Sequence, residues 1–115
     1  GGFIQGQGWL TMEEVVWGND GIIKTFSPST YKIPAVTDIP KIFNVEIFKN
    51  GLNVEKVVNK AKTTGEPPLM LAMSVFFAIK DAIASISNYN RIPDLNAPAT
   101  AEKILLSIKK LKNIV

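Results

Sequence analysis

The chain has 115 residues, of which 46% are hydrophobic and 20% charged, and its formal net charge is +3. This length allows one domain with a modest core, and so weak a charge does not indicate nucleic-acid binding. The absence of cysteine and histidine excludes a disulfide framework, a Cys/His zinc site, an iron–sulfur site and a Cys or Ser–His nucleophile within these residues.

The start of the chain carries no targeting signal. Gly1 and Gly2 are the first residues, without an initiator methionine, so we expect a piece of a longer protein. No basic segment precedes an apolar run, as it would in a signal peptide. The longest apolar run ends at Lys80 and Asp81 and is too short to span a bilayer.

The first third of the chain predicts a helix followed by a hairpin. Apolar residues recur at roughly helical spacing over residues 3–16, although Gly6 and Gly8 weaken the helix. Residues 18–21 (GNDG) predict a turn, and the segments on either side of it are expected to pair.

The middle of the chain predicts irregular structure and short strands. Residues 27–40 contain three prolines and predict an extended connection. Alternating apolar residues predict a strand over residues 43–48, and a second short strand is expected over residues 54–58.

Two helices are predicted in the last half. Residues 69–86 follow a Pro-Pro pair and are apolar nearly all round at the start, which is typical of a buried helix. We expect this helix to pack against protein outside these residues. After a polar loop over 87–98, Thr100 is the expected N-cap of a last helix. Its apolar stripe consists of Ile104, Leu105, Ile108 and Leu111. The predicted fold class is α+β, a small antiparallel sheet packed with helices within a larger domain.

Three features have a functional and a structural interpretation. The glycine-rich residues 1–8 could approach a phosphate, but they lack the G-x-G-x-x-G order and a P-loop lysine, so close backbone packing is favoured. The lysines of residues 109–112 are typical of a solvated helix face. Glu66 precedes Pro67 and a rigid helix, so it is either a candidate general base or a carboxylate that faces the helix end.

These segments resemble the C-terminal part of the molybdenum-cofactor domain of xanthine dehydrogenases and aldehyde oxidases. The matching blocks occur in family order along the whole chain: residues 1–8 (GGFIQGQG), 10–14 (LTMEE), 27–34 (SPSTYKIP), 38–40 with 43–45, 65–72 (GEPPLMLA), 74–83 (SVFFAIKDAI) and 97–104 (APATAEKI). No single block is specific, but together they are.

The resemblance implies a C-terminal fragment, residues 1–115, of a molybdopterin-binding domain in an enzyme of purine catabolism. Such enzymes oxidise hypoxanthine or xanthine by attack of a Mo–OH group and hydride transfer to Mo=S, and electrons pass through two [2Fe–2S] clusters and FAD to NAD⁺ or O₂. Glu66 matches the base that deprotonates Mo–OH, and Thr64 and Gly65 match backbone close to the cofactor. No residue of this chain matches a metal ligand, so the fragment alone is expected to be inactive.

The resemblance also implies the partners and the location. These are a purine or aldehyde substrate, the upstream domains of the same chain and a second copy in a homodimer, with neither nucleic acid nor membrane. The cytoplasm is the expected compartment, with the peroxisome as the alternative.

One departure from the family pattern leaves other readings open. Residues 61–64 read Ala-Lys-Thr-Thr, where the family usually has Ser-Lys-Ala-Val, which puts substrate preference in doubt. The GEPP form favours the xanthine dehydrogenase side over aldehyde oxidase. The alternatives are an aldehyde oxidase, a non-catalytic relative that keeps the fold for a structural role, and, less favoured, a small basic domain that binds polyanions.

Overall fold

The computed structural model describes residues 1–46, 48–51, 53–62 and 66–112, with backbone alone for residues 67–69. Its elements in chain order are helix α1 (Gly2–Thr11), a 3₁₀ turn (Val36–Asp38), a second 3₁₀ turn (Val58–Lys60), helix α2 (Pro67–Ser85) and helix α3 (Ala101–Leu111). Within this part of the chain, no helix is both long and apolar enough to cross a membrane.

Helix α1 is shorter than the sequence predicts. The amides of Met12 and Glu13 both donate to the carbonyl of Gly8, at 3.0 and 2.9 Å, and this convergence ends the regular i→i−4 ladder. The predicted continuation to residue 16 is therefore wrong. Gly8 is buried, and a Cβ at this position would lie 2.6 Å from Cδ of Pro34. Close backbone packing is thus confirmed as the role of this glycine.

The turn after α1 forms where it is predicted. The amide of Gly21 donates to the carbonyl of Gly18 at 3.0 Å, and the amide of Gly18 donates to the carbonyl of Ile22 at 2.8 Å. The flanking segments meet in one isolated antiparallel bridge between Trp17 and Ile23. The hairpin prediction is confirmed to this extent only.

The predicted antiparallel sheet is wrong, because the described residues contain helices and no strand. Residues 43–46 and 48 are irregular, and the expected strand over 54–58 leads instead into the 3₁₀ turn Val58–Lys60. A strand is stable only when its amides and carbonyls pair with a neighbouring strand. Here Phe43 packs its ring against Phe3 of α1, with centroids 5.7 Å apart, so apolar alternation serves a helix contact.

Helix α2 confirms the strongest prediction of the sequence, with bounds within two residues of those expected. Pro67 and Pro68 occupy its first turn, where a missing N–H has no intrahelical partner to lose. The helix packs chiefly against α1 and, more sparsely, against α3. Ala72 has no exposed surface, and Ile83 is 2% exposed.

The core lies where α2, α3 and their connection meet. It consists of Ile83, Leu95, Ala99 and Leu111, with Phe76, Ile79, Ile104 and Ile108 packed against it. Three members of the predicted stripe of α3 therefore face the core, but Leu105 is 52% exposed and the prediction is wrong for it. Residues 87–98 form the irregular connection that the sequence predicts.

Polar contacts fix α3 at both ends. Thr100 caps the helix as predicted, since its hydroxyl accepts from the amide of Lys103 at 3.4 Å. At the other end, Nη1 of Arg91 donates to the carbonyl of Leu111 at 2.7 Å. Lys103 also forms a 2.8 Å ion pair with Glu14, just beyond α1. The position of α3 is thereby tied to both other helices.

The molecule is expanded for its length. Its radius of gyration is 18.1 Å, whereas a compact domain of this length has about 13 Å. Its accessible surface is 9196 Å², against about 6,200 Å² for a compact protein of this size. Many large apolar side chains are exposed as a result.

Candidate functional site

The candidate base, Glu66, is the residue immediately before α2. Its φ and ψ are −80° and −36°, so it has helical geometry and the extended conformation predicted from the following proline is wrong. The steric bias of a residue before proline is a preference, which the continuous helix overrides here. The Glu66 side chain is exposed. It is therefore attached to a rigid element and open to the surroundings.

Glu66 makes no capping hydrogen bond to α2. A capping side chain usually accepts from the amide at the second or third helical position. Proline at the second position, Pro68, has no amide hydrogen, so one of these two donors is missing. The carboxylate oxygens are consequently not engaged by the helix that carries them.

The two other predicted site residues, Thr64 and Gly65, lie outside the described residues. Their predicted place beside the cofactor stays a prediction. Lys62, on the N-terminal side of them, is exposed. Glu66 is thus the one predicted site residue whose position the structure describes.

A cleft of about 630 Å³ runs between α1, the 40–46 segment and the first turns of α2. Leu71 is the first α2 residue that lines it, five positions and so about 7.5 Å along the helix axis from Glu66. Phe3 and Gln7 of α1 form the facing wall, and the Gln7 amide donates to the carbonyl of Asp38 at 3.1 Å. Glu66 does not line this cleft.

The lining of this cleft was not singled out from the sequence. Phe3 and Gln7 are four residues apart and so share one face of α1, which is a signal that the glycine-rich composition of the segment obscured. Phe43 lines the same cleft and contacts Phe3. The cleft therefore joins two of the blocks on which the resemblance rests.

The 27–34 segment is held against the end of α1 by a short hydrogen bond. The Tyr31 hydroxyl donates to Oε2 of Glu13 at 2.7 Å. This bond, together with desolvation and the charge of Glu13, raises the pKa of Tyr31. Because Pro34 also packs on Gly8, the contacts of this segment are those of a structural brace.

The described residues fit a role beside a cofactor and not that of a metal-binding set. No cluster of three or more Asp, Glu, His or Cys side chains that could hold a metal ion occurs among them. The free carboxylate of Glu66 on a fixed helix end suits contact with a group that another part of the protein holds. A molybdopterin would therefore find a neighbouring carboxylate here and not its ligands.

Comparison with known proteins gives three consistent relatives and one domain. Residues 1–40 match the molybdopterin cofactor-binding domain. The chain is 44% identical to a xanthine dehydrogenase of Oryza sativa subsp. japonica and 46% identical to that of Dictyostelium discoideum, each over 93% of its residues. It is also 46% identical to a xanthine dehydrogenase/oxidase of Felis catus over 90% of its residues. The chain spans 8% of the length of each of these relatives.

Proposed function

Because this chain belongs to the xanthine dehydrogenase family and includes part of its molybdopterin cofactor-binding domain, we propose that Glu66 is the general base of a molybdenum hydroxylase. On this proposal residues 1–115 are a C-terminal piece of the cofactor domain and form one wall of its active site. The observation that carries it is the open carboxylate of Glu66, fixed at the start of α2 and not used to cap it.

The proposed task of Glu66 is to accept a proton. A general base must reach within hydrogen-bond distance of the proton that it removes, and a carboxylate on a helix end is held within a narrow range of positions. The molybdenum cofactor, when bound, supplies the redox chemistry of the hydroxylation. Thr64 and Gly65 belong to the same proposal as backbone close to that cofactor.

The proposed substrate is a purine of the xanthine type. The support is the printed names of the relatives, which are xanthine dehydrogenases, and the GEPP form of residues 65–68. The electron path through [2Fe–2S] clusters and FAD to NAD⁺ or O₂ belongs to other parts of the proposed full-length enzyme. So do the proposed homodimer and the cytoplasmic location.

The test is Glu66→Gln in the full-length protein, which removes the charge and keeps the shape of the side chain. We expect anaerobic reduction by xanthine to fall by about 10²-fold or more, the size of a general-base contribution, at equal molybdenum content. Glu102→Gln is the matched control, since Glu102 is also an exposed glutamate in the first turn of a helix, and it should reduce at the wild-type rate.

Two outcomes would contradict parts of this proposal. If Glu66→Gln is reduced as fast as wild type, the carboxylate is only a helix-end residue. If the wild-type protein is reduced faster by a simple aldehyde than by xanthine, the base assignment can hold but the purine assignment fails. A full-length protein that purifies without molybdenum would indicate a non-catalytic relative.

A further inference from the structure

One face of α2 is bare along its whole length. Ala72 and Ile83 are buried on the opposite side, where α1 and the core lie. Exposed residues recur at spacings of three and four and so form one stripe, here called the outer face of α2. It consists of Met70, Met73, Ser74, Phe77, Ala78, Asp81, Ala82 and Ser85.

The outer face has the composition of an interface and not of a solvated surface. Met70 is 64% exposed and Phe77 is 60% exposed, and Asp81 is the single charged residue of the stripe. Scattered exposed apolar residues are normal, but a contiguous apolar stripe marks an interaction site. Ser74 and Ala78 beside these large side chains leave room for the backbone of another element to approach.

We propose that the outer face of α2 is an internal interface, covered by another segment of the same polypeptide that lies outside residues 1–115. The occupant packs apolar side chains between Met70 and Phe77 and over the small residues of the stripe. This proposal goes beyond the proposed function and does not use the chemistry of Glu66, so either can fail without the other.

The area supports a large internal interface. The accessible surface of 9196 Å² exceeds that of a compact protein of this size by about 3,000 Å². A standard interface between separate proteins buries about 800 Å² on each partner. The excess is several times larger, and it resembles the surface left when a domain is cut through its interior.

The size of the relatives favours the same polypeptide over a second copy of this chain. The matched stretch is 8% of each relative, so most of each relative's chain lies outside it. A segment on the same polypeptide has a high effective concentration for this face, with no loss of translational freedom to offset. A symmetric contact on α2 alone would leave most of the excess surface bare.

The first experiment uses the unmodified full-length protein, so it does not depend on the folding of a variant. Hydroxyl-radical footprinting with mass spectrometry would measure oxidation of Met70, Met73 and Phe77. We expect each to be oxidised at least about tenfold more slowly than in the urea-unfolded protein, because burial excludes the radical. Leu105 and Leu106 on the exposed side of α3 should show little protection. Oxidation of Met70 at the unfolded rate would overturn the proposal.

The second experiment identifies the occupant. A photo-reactive phenylalanine analogue replaces Phe77 and, separately, Lys109 of α3 as the control, and irradiated protein is separated under denaturing conditions. The expected result is a cross-link from position 77 to a peptide outside residues 1–115 at the mass of one chain, with none from position 109. A product with the mass of two chains would assign the face to a second copy and overturn the proposal. A cross-link within residues 1–115, or none at all, would also overturn it.

Discussion

Helices α2 and α3 share a core but differ in how far their own chain completes them. The exposed side of α3 carries Glu102, Lys109 and Lys110, charged residues that water solvates well. The exposed side of α2 carries Met70 and Phe77 instead. One helix is therefore finished as a surface helix, and the other has the composition of a helix buried on two sides.

The difference extends to the helix ends. Thr100 caps α3 with its side chain, and the C-terminal carbonyl of Leu111 accepts from Arg91. The side chain that precedes α2, Glu66, makes no capping bond. Unsatisfied helix ends need partners from elsewhere. The comparison teaches that a candidate catalytic carboxylate lies at the end of the helix that depends most on the rest of the protein.

Truncation on the shared core side should have the largest effect. Ile83→Ala removes a side chain that is 2% exposed, and the cost of such a change is about 2–5 kcal/mol. Leu106→Ala, at a position 49% exposed on α3, should cost about 1 kcal/mol or less. Native-state hydrogen exchange of the α2 and α3 peptides in the full-length protein would measure both. Equal losses would mean that α3 is covered on its outer side as well, and the contrast between the helices would fail.

Two substitutions within α3 should have opposite signs. Thr100→Ala removes the capping hydroxyl and should lower the opening free energy of α3 by about 1 kcal/mol. Ser107 is 1% exposed and its hydroxyl has no hydrogen-bond partner in the described structure. Ser107→Ala should therefore leave stability unchanged or raise it by up to about 1 kcal/mol, since a buried unpaired hydroxyl is unfavourable.

Exchange rates of the α3 amides would compare these two variants directly. A loss in Ser107→Ala as large as that in Thr100→Ala would show that the hydroxyl of Ser107 is bonded in the full-length protein. In that case α3 also depends on contacts from outside residues 1–115.

The smallest effect is expected at the surface ion pair of α3. Lys110 lies 2.7 Å from Oδ2 of Asp94, and this hydrogen bond and charge lower the pKa of Asp94 from its ordinary 3.8. Because the folded pKa is the lower one, the contribution is fully present above pH 3.8 and is lost as the pH falls through the folded value. Asp94→Asn should thus weaken α3 slightly at neutral pH and low salt, and not at all well below the folded pKa.

Salt provides the check on that prediction. Exposed ion pairs are screened, so the difference in α3 amide protection between wild type and Asp94→Asn should vanish in high salt. A difference that persists there would indicate that Asp94 is shielded from solvent in the full-length protein.

The sequence by itself determined those features that depend on neighbouring residues. The Pro-Pro pair and the apolar run predicted α2, Thr100 predicted the start of α3, and residues 18–21 predicted the turn, because each signal acts within a few residues of the structure that it specifies. The ordered blocks of family sequence likewise identified the family and marked Glu66.

Tertiary contacts decided the rest. Phe43 alternates with other apolar residues as in a strand, yet its ring packs on Phe3 of α1, because a strand needs a partner whose position no local pattern encodes. Leu105 has the same apolar character as Ile108, but only Ile108 packs against the core. Which face of a helix is buried, and by what, depends on elements distant along the chain, and for the outer face of α2 the proposed element lies beyond these 115 residues.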